Sequence, residues 1–214
     1  MYILTQQDHI GATYLAELRD LQVQQDRMRF RHNLERLGMA FGMEVSKSLD
    51  YHQVAVQTPL GTKQVRTLVS QPVLVTVMRA SLPLYQGFLQ VFDKADTAFI
   101  GAYRGAHKSD NSFDIALDYI ASPSLDGRVL ILLDPMIATG KSLVQSYQSL
   151  LQYGKPSRVL IVAAIAAQAG LDYLAQHLPE AELWVGDVDA ELNDHSYIIP
   201  GLGDAGDLSF GPKL

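Results

Sequence analysis

The chain has 214 residues, no cysteine, and 17 Lys and Arg against 23 Asp and Glu, a formal charge of −6. At that length a globular fold buries roughly 70% of the surface its unfolded chain exposes, and 48% hydrophobic with 19% charged residues excludes disordered, collagen-like and coiled-coil classes. The missing cysteines exclude a disulfide framework, a thiolate zinc site and a cysteine nucleophile, and a pI near 5.4 argues against nucleic-acid binding through bulk positive charge.

Residues 1–20 carry Asp8, Glu17 and Asp20 and lack a basic region followed by an apolar run. The most apolar stretch, Val159 to Ala167, spans nine residues, short of the ~20 needed to cross a bilayer. With no internal repeat, low-complexity tract or linker, the expectation is one cytoplasmic domain over 1–214. The first 50 residues read as helical: Phe30, Leu34, Leu37 and Phe41 form one stripe, and Leu15, Leu18 and Leu21 do the same upstream. Gly38 and Gly42 are expected to stop the second pattern.

From residue 72 short apolar runs alternate with helical segments. Val73–Val77, Ala98–Tyr103, Val129–Leu133, Val159–Ala164 and Leu183–Val188 read as five buried strands, nearly continuous in apolar character as strands covered on both faces are. Helices are predicted near Pro83–Phe92, Ser142–Tyr153 and Leu171–His177. The fold class is therefore α/β, a mostly parallel five-stranded sheet flanked by helices, with an N-terminal helical region and a C-terminal loop segment. Ligands of such sheets bind outside the carboxyl ends of the strands, so the loops after Val77, Tyr103, Leu133 and Val188 are the ones to inspect. The tail from Tyr197 on reads as ordered loop.

After the third strand comes Asp134-Pro135-Met136-Ile137-Ala138-Thr139-Gly140-Lys141-Ser142, then a helix. A strand, a glycine-bearing turn and a helix N-terminus make an anion cradle, because the N–H groups of the first helical turn lack intrahelical partners and the dipole adds about half a positive charge. Thr139 and Ser142 can donate further bonds, and Asp134 can accept from sugar hydroxyls. Gly-Lys-Ser suggests a P-loop, but that motif requires glycine at position 135. Pro135, with fixed φ and no N–H, excludes it. The plainer alternative is a helix capped by Thr139 or Ser142.

This segment resembles the signature of the type I phosphoribosyltransferases, and Tyr197-Ile198-Ile199-Pro200-Gly201-Leu202-Gly203-Asp204-Ala205-Gly206-Asp207 resembles the base-binding segment of the uracil phosphoribosyltransferase family. Met78-Arg79-Ala80-Ser81-Leu82-Pro83 and Tyr103-Arg104 are similar to family segments in family order, so the resemblance covers roughly 70–214. It implies transfer of the phosphoribosyl group of 5-phosphoribosyl diphosphate (PRPP) to uracil, giving uridine monophosphate (UMP) and pyrophosphate. It also implies that Ala138, Thr139, Gly140, Lys141 and Ser142 bind the 5′-phosphate, Asp134 the ribose hydroxyls, and Arg79 and Arg104, each beyond a strand end, the diphosphate. Ile198, Gly203, Asp204 and Ala205 would bind uracil. Asp134, Arg104 and Asp204 would be catalytic, with Asp204 touching both substrates directly or through Mg2+ and water. Mg2+ would be held mainly by PRPP and not directly by the protein.

The resemblance further implies a homodimer or higher homo-oligomer and admits a GTP effector. Arg27, Arg29, Arg31 and Arg36 form a basic helical patch, read first as a solvated or subunit-contact face and second as such an effector site. The six histidines show no metal-ligand spacing. Ser81 and Lys141 stand where the family has glycine, Gly-Ala-His-Lys follows Arg104, and Gln168-Ala169 replaces a Pro-Glu pair. Two alternatives stay open: a non-catalytic pyrimidine-nucleotide sensor of the same fold, or a transferase using another base. The charge weighs against nucleic acid as a partner, and no membrane partner is expected.

Overall fold

The computed structural model describes residues 1–107 and 113–212, with the backbone alone for those among 102–118. In chain order the first elements are β1 (Tyr2–Ile3), α1 (Gly11–Arg19), α2 (Arg27–Ser46) and a hairpin of β2 (Tyr51–Thr58) and β3 (Gly61–Leu68). The sheet-forming region follows with β4 (Val73–Met78), α3 (Leu82–Val91), β5 (Asp96–His107), β6 (Phe113–Ala121), β7 (Val129–Leu133) and β8 (Met136–Ile137). It continues through α4 (Lys141–Leu150), β9 (Arg158–Ala167), α5 (Gln168–His177) and β10 (Glu182–Asp189). The chain closes with β11 (Glu191–Leu192), β12 (Ile198–Ile199) and α6 (Ala205–Phe210).

The main sheet has eight strands in the order β1-β10-β9-β7-β4-β5-β6, with β8 pairing β9. All neighbours are parallel except β5 and β6. Alternate residues feed two cores, one on each face. Ile131, Leu133, Leu160 and Val162 face α1, α2 and α3, packing with Leu18, Phe30, Phe41 and Phe88. Leu130, Leu132, Val159 and Ile161 join Leu143, Tyr147, Leu171 and Leu174 from α4 and α5. Burial on both faces is why these strands read as unbroken apolar runs.

The five expected strands all form, and three more join them. β1 and β8 are two residues long, too short to leave a periodic signal, and β6 carries Asp114 and Asp118 within its run. The N-terminal region is not wholly helical, since β1 opens it, and Leu21 lies beyond α1 and is exposed. Gly38 and Gly42 do not stop α2, which runs on to Ser46. There α2 crosses α3: a Cβ on Gly38 would collide with the Leu84 carbonyl, and one on Gly87 with that of Glu35. The two glycines let backbones meet where side chains cannot fit. The tail is not all loop either, because β12 pairs with β11 and α6 follows. No helix among the described residues is long and apolar enough to cross a membrane.

Candidate active site

Because β4, β7, β9 and β10 are parallel, their carboxyl ends share one rim of the sheet. The Asp134–Ser142 turn leaves β7 there. The Asp134 N–H donates to the Val162 carbonyl at 3.1 Å, its Oδ1 accepts from the Met136 N–H at 3.2 Å, and β8 pairs with the end of β9. Gly140, with φ at 75°, turns the chain into α4 in a conformation that glycine adopts without strain. No side chain caps α4; Thr139 Oγ1 stands 3.5 Å from the Lys141 N–H, at the limit of a hydrogen bond. Thr139 therefore gives the first turn one marginal bond. Lys141 is exposed, while Ala138, Thr139 and Ser142 are half-buried. The turn rests on α5, where a Cβ at Gly170 would strike the Ala138 carbonyl.

Arg79 leaves β4 at the same rim. Its Nη2 donates to Asp207 Oδ1 at 3.0 Å and to the Gly211 carbonyl at 3.2 Å, while Nε is buried without a partner among the described residues. Ser81 is fully buried, its Oγ 2.6 Å from both the Val77 carbonyl and Thr76 Oγ1. The hydroxyl thus fastens the Arg79 loop to its strand. Arg104 does not lie beyond a strand end as expected: β5 extends to His107, with Arg104 opposite Ile115 of β6. The antiparallel partner lengthens β5, and the Arg104 side chain lies outside the described residues.

The C-terminal segment is drawn to this rim from both sides. Arg79 holds Asp207, and a Cβ on Gly206 would stand 3.7 Å from that of Ala80. At the other side Arg19, ending α1, donates to Asp189, Asp187 and the Gly201 carbonyl. Burial pulls the Arg19 pKa down, but hydrogen bonds and charge from Asp189 and Asp187 outweigh it and leave it raised. Asp204 caps α6, its Oδ1 accepting from the N–H groups of Gly206 and Asp207 at 2.8 and 3.0 Å. Ile198 and Ala205 are buried, and Gly203 is exposed. Sequence reading missed Asp207, Arg19 and Asp189; a carboxylate near the specific C-terminal run was the available signal for the first.

Among the described residues no cluster of three His, Cys, Asp or Glu side chains forms. Asp134 and Asp204 offer hard oxygen donors near the rim, which fit Mg2+ where substrate oxygens and water complete its shell. The arginine patch on α2 is largely committed within the chain. Arg29 forks onto Glu17, Arg31 Nη1 donates to the Ser209 carbonyl at 2.7 Å, and Arg36 bonds Asn33 Oδ1 beneath a cation–π contact with Tyr14.

A mostly parallel sheet flanked by helices, with a strand–turn–helix segment and an arginine at its carboxyl rim, is the α/β architecture implied by the resemblance to the type I phosphoribosyltransferases. A family model described as uracil phosphoribosyltransferase matches residues 5–212. The uracil phosphoribosyltransferase of Porphyromonas gingivalis is 42% identical over 213 residues, 96% of this chain and 98% of that protein. That of Thermococcus gammatolerans is 38% identical over 205 residues, covering 94% and 88%. The solved AQ2163 protein from Aquifex aeolicus superimposes with a TM-score of 0.86 at 32% identity, covering 96% of each chain. The chain belongs to the uracil phosphoribosyltransferase family.

Proposed function

We propose that the protein transfers the 5-phosphoribosyl group of PRPP to uracil, releasing pyrophosphate and forming UMP. The observation that carries this is the shared rim: the phosphate-type turn after β7, Arg79 after β4 and the C-terminal strip beyond β10 follow the carboxyl ends of parallel strands, and Arg79 holds Asp207. The reaction needs that arrangement. Breaking the C1′–O bond builds cationic character on the sugar and negative charge on the departing diphosphate, so both anions must be fixed and water kept from the carbon.

On this reading the N–H groups from Ala138 to Ser142 hold the 5′-phosphate, with Lys141 adding charge, and Asp134 holds the ribose hydroxyls. Arg79 and Arg104 clamp the diphosphate, a role suited to a planar fork that stays charged. With Nη2 of Arg79 engaged by Asp207 and the Gly211 carbonyl and Nε buried, Nη1 is assigned to the phosphate oxygens. Uracil presents acceptor, donor, acceptor along one edge, and the main chain at Ile198, Gly203, Asp204 and Ala205 supplies the complement without ionisable groups. Cytosine mismatches that pattern, and an unpaired buried polar group costs ~1–3 kcal/mol. Mg2+, when bound with PRPP, supplies charge neutralisation on the diphosphate. Asp204 Oδ2, without a partner among the described residues, would face it across water.

The hairpin of β2 and β3 supports a homo-oligomer, since Val56 and Leu60 are exposed on it and an isolated two-stranded ribbon is marginally stable in water; light scattering after gel filtration would show a mass above 23.6 kDa. A cytoplasmic place of action is part of this reading. A GTP effector at α2 is disfavoured, because Arg29, Arg31 and Arg36 are engaged within the chain. The test is product analysis with PRPP, Mg2+ and a panel of uracil, cytosine, orotate and hypoxanthine. UMP from uracil supports the reading. A folded preparation that makes no UMP, or prefers another base, contradicts it.

A further inference from the structure

Gly201 lies at the middle of the C-terminal strip, and both of its backbone groups are gripped from outside that strip. Its N–H donates to Asp189 Oδ2 at 3.2 Å, and its carbonyl accepts from Arg19 Nη1 at 2.9 Å. Arg19 and Asp189 are themselves joined fork to fork, Nη1 to Oδ2 at 2.8 Å and Nη2 to Oδ1 at 3.0 Å. Asp189 ends β10 and is 7% exposed. The result is a closed ring: a partly buried ion pair anchored on the sheet and on α1, with one glycine of the strip locked into it. Gly201 has φ at 61°, and a Cβ there would collide with the Ile198 carbonyl, so its backbone has little freedom to relieve a change in the ring.

A site that reads a base by main-chain groups cannot tune its contacts by rotating side chains. Its selectivity depends on where the backbone is held, and displacements of a fraction of an ångström degrade such geometry. Between Ile198 and Gly203 the strip carries no ionisable side chain, so its position must be imposed by other elements. Resting on the base-site reading above, we propose that Arg19 and Asp189 are positioning residues for uracil, fixing the strip through the two backbone groups of Gly201. Arginine is required because its two separated Nη groups meet both Asp189 oxygens in parallel while Nη1 also reaches the Gly201 carbonyl, a span that the single nitrogen of a lysine does not cover. Asp187 provides an internal control. It accepts from Arg19 Nη2 at 3.0 Å and from Thr5 Oγ1 at 2.9 Å and makes no bond to Gly201.

The experiment is steady-state kinetics of UMP formation for wild type, Arg19→Lys, Asp189→Asn and Asp187→Asn, with thermal melts confirming that each folds. Arg19→Lys and Asp189→Asn are expected to raise the uracil KM roughly tenfold, the scale of one charge-assisted hydrogen bond, with the PRPP KM unchanged. Asp187→Asn is expected to match wild type in both. If Asp189→Asn does not fold, Arg19→Lys alone decides the matter. An unchanged uracil KM in the folded variants, an equal rise in the PRPP KM, or an equal effect of Asp187→Asn overturns the positioning role while leaving the activity intact. A wild type that forms no UMP overturns the base-site reading and this inference with it.

Discussion

Arg79 holds the C-terminal segment by Nη2, bonded to Asp207 and the Gly211 carbonyl, and is proposed to hold the diphosphate. Arg79→Ala should therefore lower kcat/KM by about 30- to 1,000-fold, the scale of losing one charge-stabilising donor, with no matching loss in the thermal midpoint. A drop below about threefold would place the diphosphate elsewhere. Glu17 shows the opposite kind of pairing, structural rather than catalytic. Hydrogen bonds from Arg29 and then Asn33 hold its pKa at about 2, below the ordinary 4.5. A depressed carboxylate stabilises the fold fully above its unfolded pKa and loses that contribution as pH falls through the folded value. Thermal melts of wild type and Glu17→Gln should thus differ above about pH 4.5 and converge toward pH 2; a gap independent of pH would contradict the assignment. The Asp134–Ser142 turn was legible in sequence because its parts are consecutive. Asp207 and Asp189 were not, since their arginine partners lie 128 and 170 residues away along the chain.

Helix α2 and its crossing with α3 show how packing overrules local preference. A glycine inside a helix costs about 1 kcal/mol relative to alanine, which made Gly38 and Gly42 look like terminators. The crossing needs Gly38 and Gly87 bare, because each would drive a Cβ into the other helix's backbone. Gly87→Ala should therefore destabilise the protein by about 1–3 kcal/mol, although alanine is the better helix former, as read by denaturant unfolding. A gain in stability would mean that the crossing tolerates separation. The same contrast explains which elements could be read. Strands buried on both faces carry continuous apolar runs, and all five were visible. The exposed β2–β3 ribbon pairs only with itself and lacks a buried apolar run, the two-residue β8 pairs with the remote β9, and the six-residue α6 rests on the Asp204 cap, so they leave little periodic trace.

The whole molecule turns on the direction of its strands. Parallel β4, β7, β9 and β10 gather their following segments at one rim, so the turn proposed to seat the sugar phosphate and the strip proposed to meet the base follow strands that end on the same side. The rhythm of strand and helix made a shared rim readable from sequence. The anchoring of the C-terminal strip by Arg19, Asp189 and Arg79 required the fold. A crystal structure of the protein with UMP is the most direct test. The account predicts the 5′-phosphate on the N–H groups of Ala138 to Ser142 and the uracil edge on the main chain of Ile198 to Ala205. A nucleotide bound with its base away from that strip, or its phosphate away from the α4 N-terminus, would contradict it.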